Sequence, residues 1–483
     1  MPATLSSVEA RAALRAAAAT TASRLSPGHG TPSPRHLALL SEAELPPAPS
    51  VWTDRTALPL VALFAARARR DALSDGASAV RRYFDDVRLR RVATLSAEVR
   101  SGLYASVGEY CNALGWPQMG ARFGTEALLF ADSAPLRYRA LSVVALGFAL
   151  NGEYTSAQAA IDEAEDTFIA REWPVGETAY LVLLAHILVA AARLDSERLL
   201  TQARRLSTAQ PNDPYWGYSA RTAEVAAMMF SRDYGAARAA GRQLLTGTHR
   251  HTSHRMMRYF LVSMVSDVMV AQGDHRDALA LLEPFENPEG HGICFSMQRA
   301  AALLRLGRER DLLAETESCV ASEADHCMRT LTPLLVRRAL AWNRLGSHRR
   351  ARDTMEAALM LIAQTGMSAT PFLMLPHGET RALIVAAAAE HPELDPQLPH
   401  LLAMLSAVAV RDGDVPTGGS AGALTPTERA LATLLPTRLS LAEMAVERGV
   451  SLNTVKTQVR SIYHKLGVGN RPDAVARLLA EEE

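Results

Sequence analysis

One local pattern returns along most of this chain and restricts its fold more than any other feature. A helical run ends in a tight turn, and a second helical run follows, opening on a small residue. The turn Leu150-Asn151-Gly152-Glu153-Tyr154 leads to Ala157, and its variants stand at Gly115, at Arg193-Leu194 and at Ser231-Arg232-Asp233-Tyr234 before Ala237. Others stand at Gly273-Asp274 before Ala278, at Arg305-Leu306-Gly307, and at Arg344-Leu345-Gly346 before Ala351. Their spacing, roughly 34 to 41 residues, suits helix pairs that bury their apolar faces only by stacking on one another. Alanine after each turn lets the two helices of a pair approach closely. The expected architecture is an all-α solenoid, right-handed, of about seven pairs between Ser96 and Val410, whose concave face is a surface for binding.

The period resembles that of tetratricopeptide repeats, which implies a sensor or interaction region over residues 56–410. Ahead of it, residues 1–55 read as one Ala-rich helix and then, over 26–50, a Pro/Gly-rich loop or linker. Behind it, residues 411–423 carry four Gly with Ser, Pro and two Asp, the composition of a flexible tether.

The last 60 residues change character. From Ser451 to Leu466, Leu452, Val455, Val459, Ile462 and Leu466 recur at steps of three and four and make one apolar stripe. Asn453, Lys456, Thr457, Arg460 and His464 fall opposite, and no acid stands between Ser451 and Arg471. Such a helix suits a DNA major groove, where Arg and Lys donate to guanine edges while hydroxyls and amides reach phosphates or bases. Taken alone it reads more readily as a solvated basic face. Its neighbours add to it. Ser440-Leu441-Ala442-Glu443 reads as a capping box, the short helix it opens stops at Gly449, and Ser451 caps the next. Thr425-Pro426-Thr427-Glu428 opens a helix before them and Asn470-Arg471-Pro472-Asp473 one after, so four short helices are expected, the second and third in a helix-turn-helix arrangement.

Leu424-Thr425-Pro426, Glu428-Arg429, Leu439-Ser440, Glu443-Met444-Ala445, Thr454-Val455-Lys456-Thr457, Ile462-Tyr463, Lys465-Leu466-Gly467-Val468, Arg471 and Ala474-Val475 resemble the LuxR-type DNA-binding domain. The resemblance covers residues 424–483 only. It implies a transcription regulator that binds double-stranded DNA as a homodimer on an inverted-repeat operator and works on RNA polymerase. By position, Ser451, Asn453, Thr454, Lys456, Thr457, Arg460, Lys465 and Arg471 would serve DNA binding. Lys456, Thr457 and Arg460 match base-facing positions, while Thr454, Lys465 and Arg471 lie near the backbone or hold the domain together. Val475, Leu478 and Leu479 of the last helix offer a dimer surface. Thr427, Arg438, Arg448 and Gln458 depart from the family's usual residues. The large regulators resembling the maltose activator carry an ATPase ahead of such repeats. This chain resembles their repeat and DNA-binding parts alone.

Charge agrees with a local DNA site. The chain has 51 basic and 51 acidic residues, so it is not coated for nucleic acid. Its only two lysines, Lys456 and Lys465, both lie in the basic helix. With no lysine earlier, a Walker phosphate loop is excluded, and no H-E-x-x-H, and no G-x-S-x-G in the strand-turn-helix context that a nucleophile elbow needs, occurs, so no catalytic residue and no cofactor is assigned. Cys111, Cys294, Cys319 and Cys327 form no C-x-x-C pair; Cys319, His326 and Cys327 are near in sequence but read as bystanders, and no metal is expected. His249, His251 and His254 suggest a basic loop, with a pH- or metal-sensing role as the sharper alternative. No apolar run reaches a membrane span and no signal peptide is evident, so a cytoplasmic regulator is expected, its repeats receiving a small molecule or a protein. A repeat scaffold with weak DNA binding is the alternative.

Overall fold

The computed structural model describes residues 7–248, 252–322, 326–366, 368–389, 391, 394, 396–408, 426–437, 439–448, 450–466, 468 and 470–480. The chain divides into two compact units, Met1–Val410 and Arg411–Glu483. The tether expected at 411–423 lies outside the described residues.

The first unit is an all-α solenoid. Seven antiparallel pairs follow one another: Ala97–Leu114 with Pro117–Leu129, Ala134–Asn151 with Tyr154–Ala170, Tyr180–Ala192 with Ser196–Ala209, and Pro214–Phe230 with Tyr234–Thr246. Arg255–Ala271 with His275–Leu282, Phe295–Arg305 with Glu309–Glu315, and Met328–Arg344 with His348–Thr365 complete them. His377–Ala388 and Leu398–Val408 end the unit.

The recurrent turns explain why each pair folds back. Gly115, Gly152, Leu194, Arg232, Gly273, Gly307 and Gly346 all take positive φ, between 58° and 97°. In every case the next residue's N–H bonds the carbonyl five residues back, as in Glu153 to Phe148 at 2.9 Å and Asp274 to Met269 at 2.9 Å. This is the Schellman closure, which needs a left-handed residue after the helix. Leu194 and Arg232 adopt it without being glycine, at a cost of about 1–2 kcal/mol each. Asp195 and Asp233 then cap the returning helices through the amides of Arg198 and Ala236. Ala157, Ala237, Ala278 and Ala351 are fully buried, as close helix approach requires.

Two features depart from the sequence reading. Residues 26–50 are not a separate linker, because Leu40, Leu45 and Trp52 are buried in one core with Phe64, Tyr83 and Tyr110. Trp52 Nε1 donates to the Arg90 carbonyl at 2.9 Å, and Trp52–Thr53 pairs in parallel with Ala93–Thr94, one of two small strand pairs among the described residues. The stack also winds until distant repeats meet. Gly292 N–H donates to Gly115 O at 2.9 Å, Arg329 Nε to Leu150 O at 3.0 Å, and Ala369 N–H to Ala192 O at 3.1 Å. The concave surface therefore lines a deep, partly open cavity.

The second unit contains Pro426–Ala432, Leu441–Glu447, Leu452–Leu466 and Arg471–Ala480. Its core is Leu431, Leu435, Met444, Val455, Val459, Ile462 and Ala474.

Candidate DNA-reading module and interior cavity

In the second unit, Ser440 and Glu443 form a reciprocal cap. The Glu443 amide donates to Ser440 Oγ at 3.3 Å, and the Ser440 amide donates to Glu443 Oε2 at 2.7 Å. The backbone bond to Ser440 holds the Glu443 carboxyl below its ordinary range. Asn470 caps the last helix through the Asp473 amide at 2.9 Å. Glu428 is buried and accepts from Ser461 Oγ at 2.7 Å, tying the first helix to the third.

The third helix shows the two expected faces in its middle. Val455, Val459 and Ile462 are buried, while Lys456 and Arg460, one turn apart, are exposed. Leu452 departs from the stripe: it is 39% exposed. Helical side chains lean toward the N-terminus, so one at the first position leans past the end of the helix, away from the core. Ser451 is exposed. The side chains of Asn453, Thr454, Thr457, Lys465, Leu466 and Leu479 lie outside the described residues. Val475 and Leu478 are half-buried against this unit's own core.

Arg471 has a clear role. Its Nε donates to Leu435 O at 2.8 Å, Nη1 to Leu439 O at 2.7 Å, and Nη2 to Thr437 O at 2.7 Å and Leu434 O at 3.4 Å. The planar fork of guanidinium donors suits such a set of carbonyls. Arg471 therefore fastens the start of the last helix to the turn between the first and second, and holds the module in shape.

The cavity of the first unit measures about 390 Å³. One wall is aromatic: Tyr180 stacks obliquely on Trp216 with ring centroids 5.1 Å apart, and on His254 at 5.0 Å. His254 Nε2–H donates to Arg69 O at 3.2 Å, which leaves Nδ1 to accept from the Tyr180 hydroxyl at 2.9 Å. Burial pushes the His254 pKa down, so the ring is neutral. Of the three histidines in the cluster, His249 and His251 lie outside the described residues.

Another part of the lining is polar and under-satisfied. Asn112 Oδ1, Arg139 Nε, Ser263 Oγ, Asp267 Oδ1, Gln298 Oε1 and Arg337 Nε are buried with no hydrogen-bond partner, and all six residues line the cavity. Each such atom costs about 1–3 kcal/mol unless a ligand or water satisfies it. Burial raises the Asp267 pKa from 3.8 to about 6, against the pull of Arg337 and a bond from Gln298. Burial lowers Arg337 to about 10, so it stays charged at neutral pH.

The sign of the Asp267 effect gives a test. A pKa raised on folding contributes stability that is complete below pH 3.8 and is lost as the pH rises through about 6. Asp267→Asn should therefore gain on the wild type by about 2 kcal/mol between pH 4 and pH 8, read as urea midpoints. Parallel pH profiles for the two proteins would show that the carboxylate is not buried as described.

Sequence reasoning found the basic helix and the Ser440–Glu443 cap of the helix before it. It missed the cavity, because Arg139, Asp267 and Arg337 come from three repeats that meet only through the winding of the stack.

A helical-repeat unit joined in one chain to a four-helix module with an exposed basic helix face is the arrangement that the folded chain defines. No family model matches the chain. Over 127 residues it is 32% identical to a probable HTH-type transcriptional regulator, GfsR, of Streptomyces halstedii; the match covers 25% of this chain and 51% of that protein. This chain thus spans about half the length of that curated relative. The crystal structure of a Rap protein complexed with competence and sporulation factor overlaps 74% of this chain and 99% of its own, with a TM-score of 0.48 and 13% identity. Among the described residues, no helix is long and apolar enough to cross a membrane.

Proposed function

We propose that this chain is a sequence-specific DNA-binding regulator of transcription whose terminal module is of LuxR type and whose repeats receive an effector. The observation that carries this reading is the third helix of the module. Lys456 and Arg460 stand free on one face, the other face is anchored by Val455, Val459 and Ile462, and Glu428 and Ser440 brace the elements around it. The partial similarity to a probable HTH-type regulator supports the same reading. The module reads an inverted-repeat operator as a homodimer through Val475, Leu478 and Leu479, and the bound dimer acts on RNA polymerase. No catalytic step is assigned to the chain.

The effector is a small molecule that occupies the cavity. Its chemistry follows from the walls: an apolar or aromatic part against Tyr180 and Trp216, and a part with both donors and acceptors against Asp267, Gln298 and Arg337. Selection of bound fragments from random DNA with the full chain tests the first half of the proposal. One enriched, two-fold symmetric sequence is expected, with affinity falling steeply as salt rises. Binding with no sequence preference would overturn it.

A further inference from the structure

Four metal-ligating side chains converge in the repeat unit, and the function proposed above does not use them. His291 stands in the loop before the helix Phe295–Arg305, and Cys294 is the residue that opens that helix. Cys319 belongs to the short helix Glu317–Ala321, and His326 precedes Met328–Arg344. One ligand atom from each lies within 4.8 Å of the other three. Cys294 and Cys319 are fully buried and His326 is 3% exposed.

The distances are those of a coordination sphere before its last contraction. Zinc–thiolate bonds of about 2.3 Å at a tetrahedral angle set two sulfurs about 3.8 Å apart, and a sulfur and an imidazole nitrogen about 3.5 Å apart. Here Cys294 Sγ and Cys319 Sγ are 3.8 Å apart, and Cys319 Sγ is 3.9 Å from His291 Nδ1. The His291 and His326 rings lie side by side with centroids 4.2 Å apart.

One further observation points to a ligand. His326 Nδ1–H donates to the Cys327 carbonyl at 3.0 Å, which fixes the tautomer and leaves a lone pair on Nε2. That Nε2 is buried with no hydrogen-bond partner. A ring whose one nitrogen is held by a carbonyl while the other is bare is the usual support of a metal-binding histidine. The His291 backbone is also unusual. His291 sits at φ 53°, a left-handed conformation that few non-glycine residues take, and the loop is held there by Thr330 Oγ1 donating to His291 O at 2.8 Å.

We propose that His291, Cys294, Cys319 and His326 form a tetrahedral site for a divalent transition cation of the zinc class. Two thiolates and two imidazoles select a borderline-soft cation over magnesium or calcium, which take oxygen ligands. Four protein ligands fill the tetrahedron, so the site is structural. It pins the 288–294 loop, the helix Glu317–Ala321 and the start of Met328–Arg344 to one point. Cys294 and Thr330 also line the cavity, so the cation stiffens part of its wall. Binding releases to solvent whatever protons the two thiols hold, and affinity therefore rises with pH.

Cobalt(II) added to the reduced, chelator-treated full chain is the probe. One equivalent should give the intense visible absorption of a tetrahedral centre with a thiolate charge-transfer band, and zinc should abolish both. Cys294→Ser and His326→Gln should each weaken binding by about 100-fold or more, beyond the 10–100-fold typical for loss of a supporting partner. Cys111→Ser, which alters a buried thiol in a different core, should leave binding unchanged. If a ligand variant fails to fold, the wild type decides alone. No saturation at one equivalent, a weak octahedral spectrum, or a Cys294–Cys319 disulfide in anaerobically purified protein would each overturn the site.

Discussion

Replacing Lys456 and Arg460 together by alanine should lower affinity for the selected operator by about 2–6 kcal/mol, since each side chain that reads a base edge contributes about 1–3 kcal/mol. That is a loss of roughly 30-fold to 10⁴-fold. The effect falls on specificity. Both side chains are exposed, one turn apart, on the face opposite Val455, Val459 and Ile462. Neither supports the core, so folding should be unaffected. No acid stands between Ser451 and Arg471 to neutralise them. If they read bases, affinity for unrelated DNA should fall much less than affinity for the operator, and the salt dependence should change little. If they touch only phosphates, both affinities fall together and the salt slope drops by about one per contact. Competition binding of the full-length double variant on operator and scrambled DNA separates these outcomes. Equal operator affinity for variant and wild type would remove the basis for the DNA-reading assignment.

What the sequence made legible here was local. The left-handed turns, the alanines behind them, the Ser440–Glu443 cap and the buried stripe through Val455, Val459 and Ile462 all depend on residues within a few positions of each other. Their physics is that of one helix end or one helix face. The features that escaped depend on winding. Leu40 and Leu45 looked like loop residues because their core partners Phe64, Tyr83 and Tyr110 follow only later in the chain. Cys319, His326 and Cys327 were grouped by nearness in sequence, yet the Cys327 thiol turns away to donate to Leu150 O at 3.0 Å, 177 residues distant. The partners that complete the cluster, His291 and Cys294, come from the preceding repeat. A repeat sequence announces its period, but the pitch that decides which distant repeats meet is set by small packing angles summed over many pairs. No single residue spells it.

Arg471→Ala should unfold much of the terminal module at temperatures where the wild type is folded, although Arg471 matches a position expected to serve DNA. Its guanidinium donates to the carbonyls of Leu434, Leu435, Thr437 and Leu439, and no acid shares it in an ion pair among the described residues. A charged donor contributes about 1.5–3 kcal/mol per bond, and partial exposure lets water recover some of this, so a net loss of about 2–4 kcal/mol is expected. A domain of about 60 residues has roughly 3–9 kcal/mol to lose. Each kcal/mol shifts the melting of so small a domain by about 4–8 °C, which makes the expected drop about 8–30 °C. Lysine is a poor substitute, because its compact ammonium cannot span four carbonyls set in a fork. Arg471→Lys should therefore recover well under half of the loss. Hydrogen exchange on the full chain, followed in peptides from residues 426–480, reads this without isolating the module. Exchange in the last helix and in the turn at 434–437 should speed up together, while peptides from Ala97–Ala170 keep their protection. A variant with wild-type protection but weakened DNA binding would move Arg471 from the scaffold of the module to its DNA-facing surface.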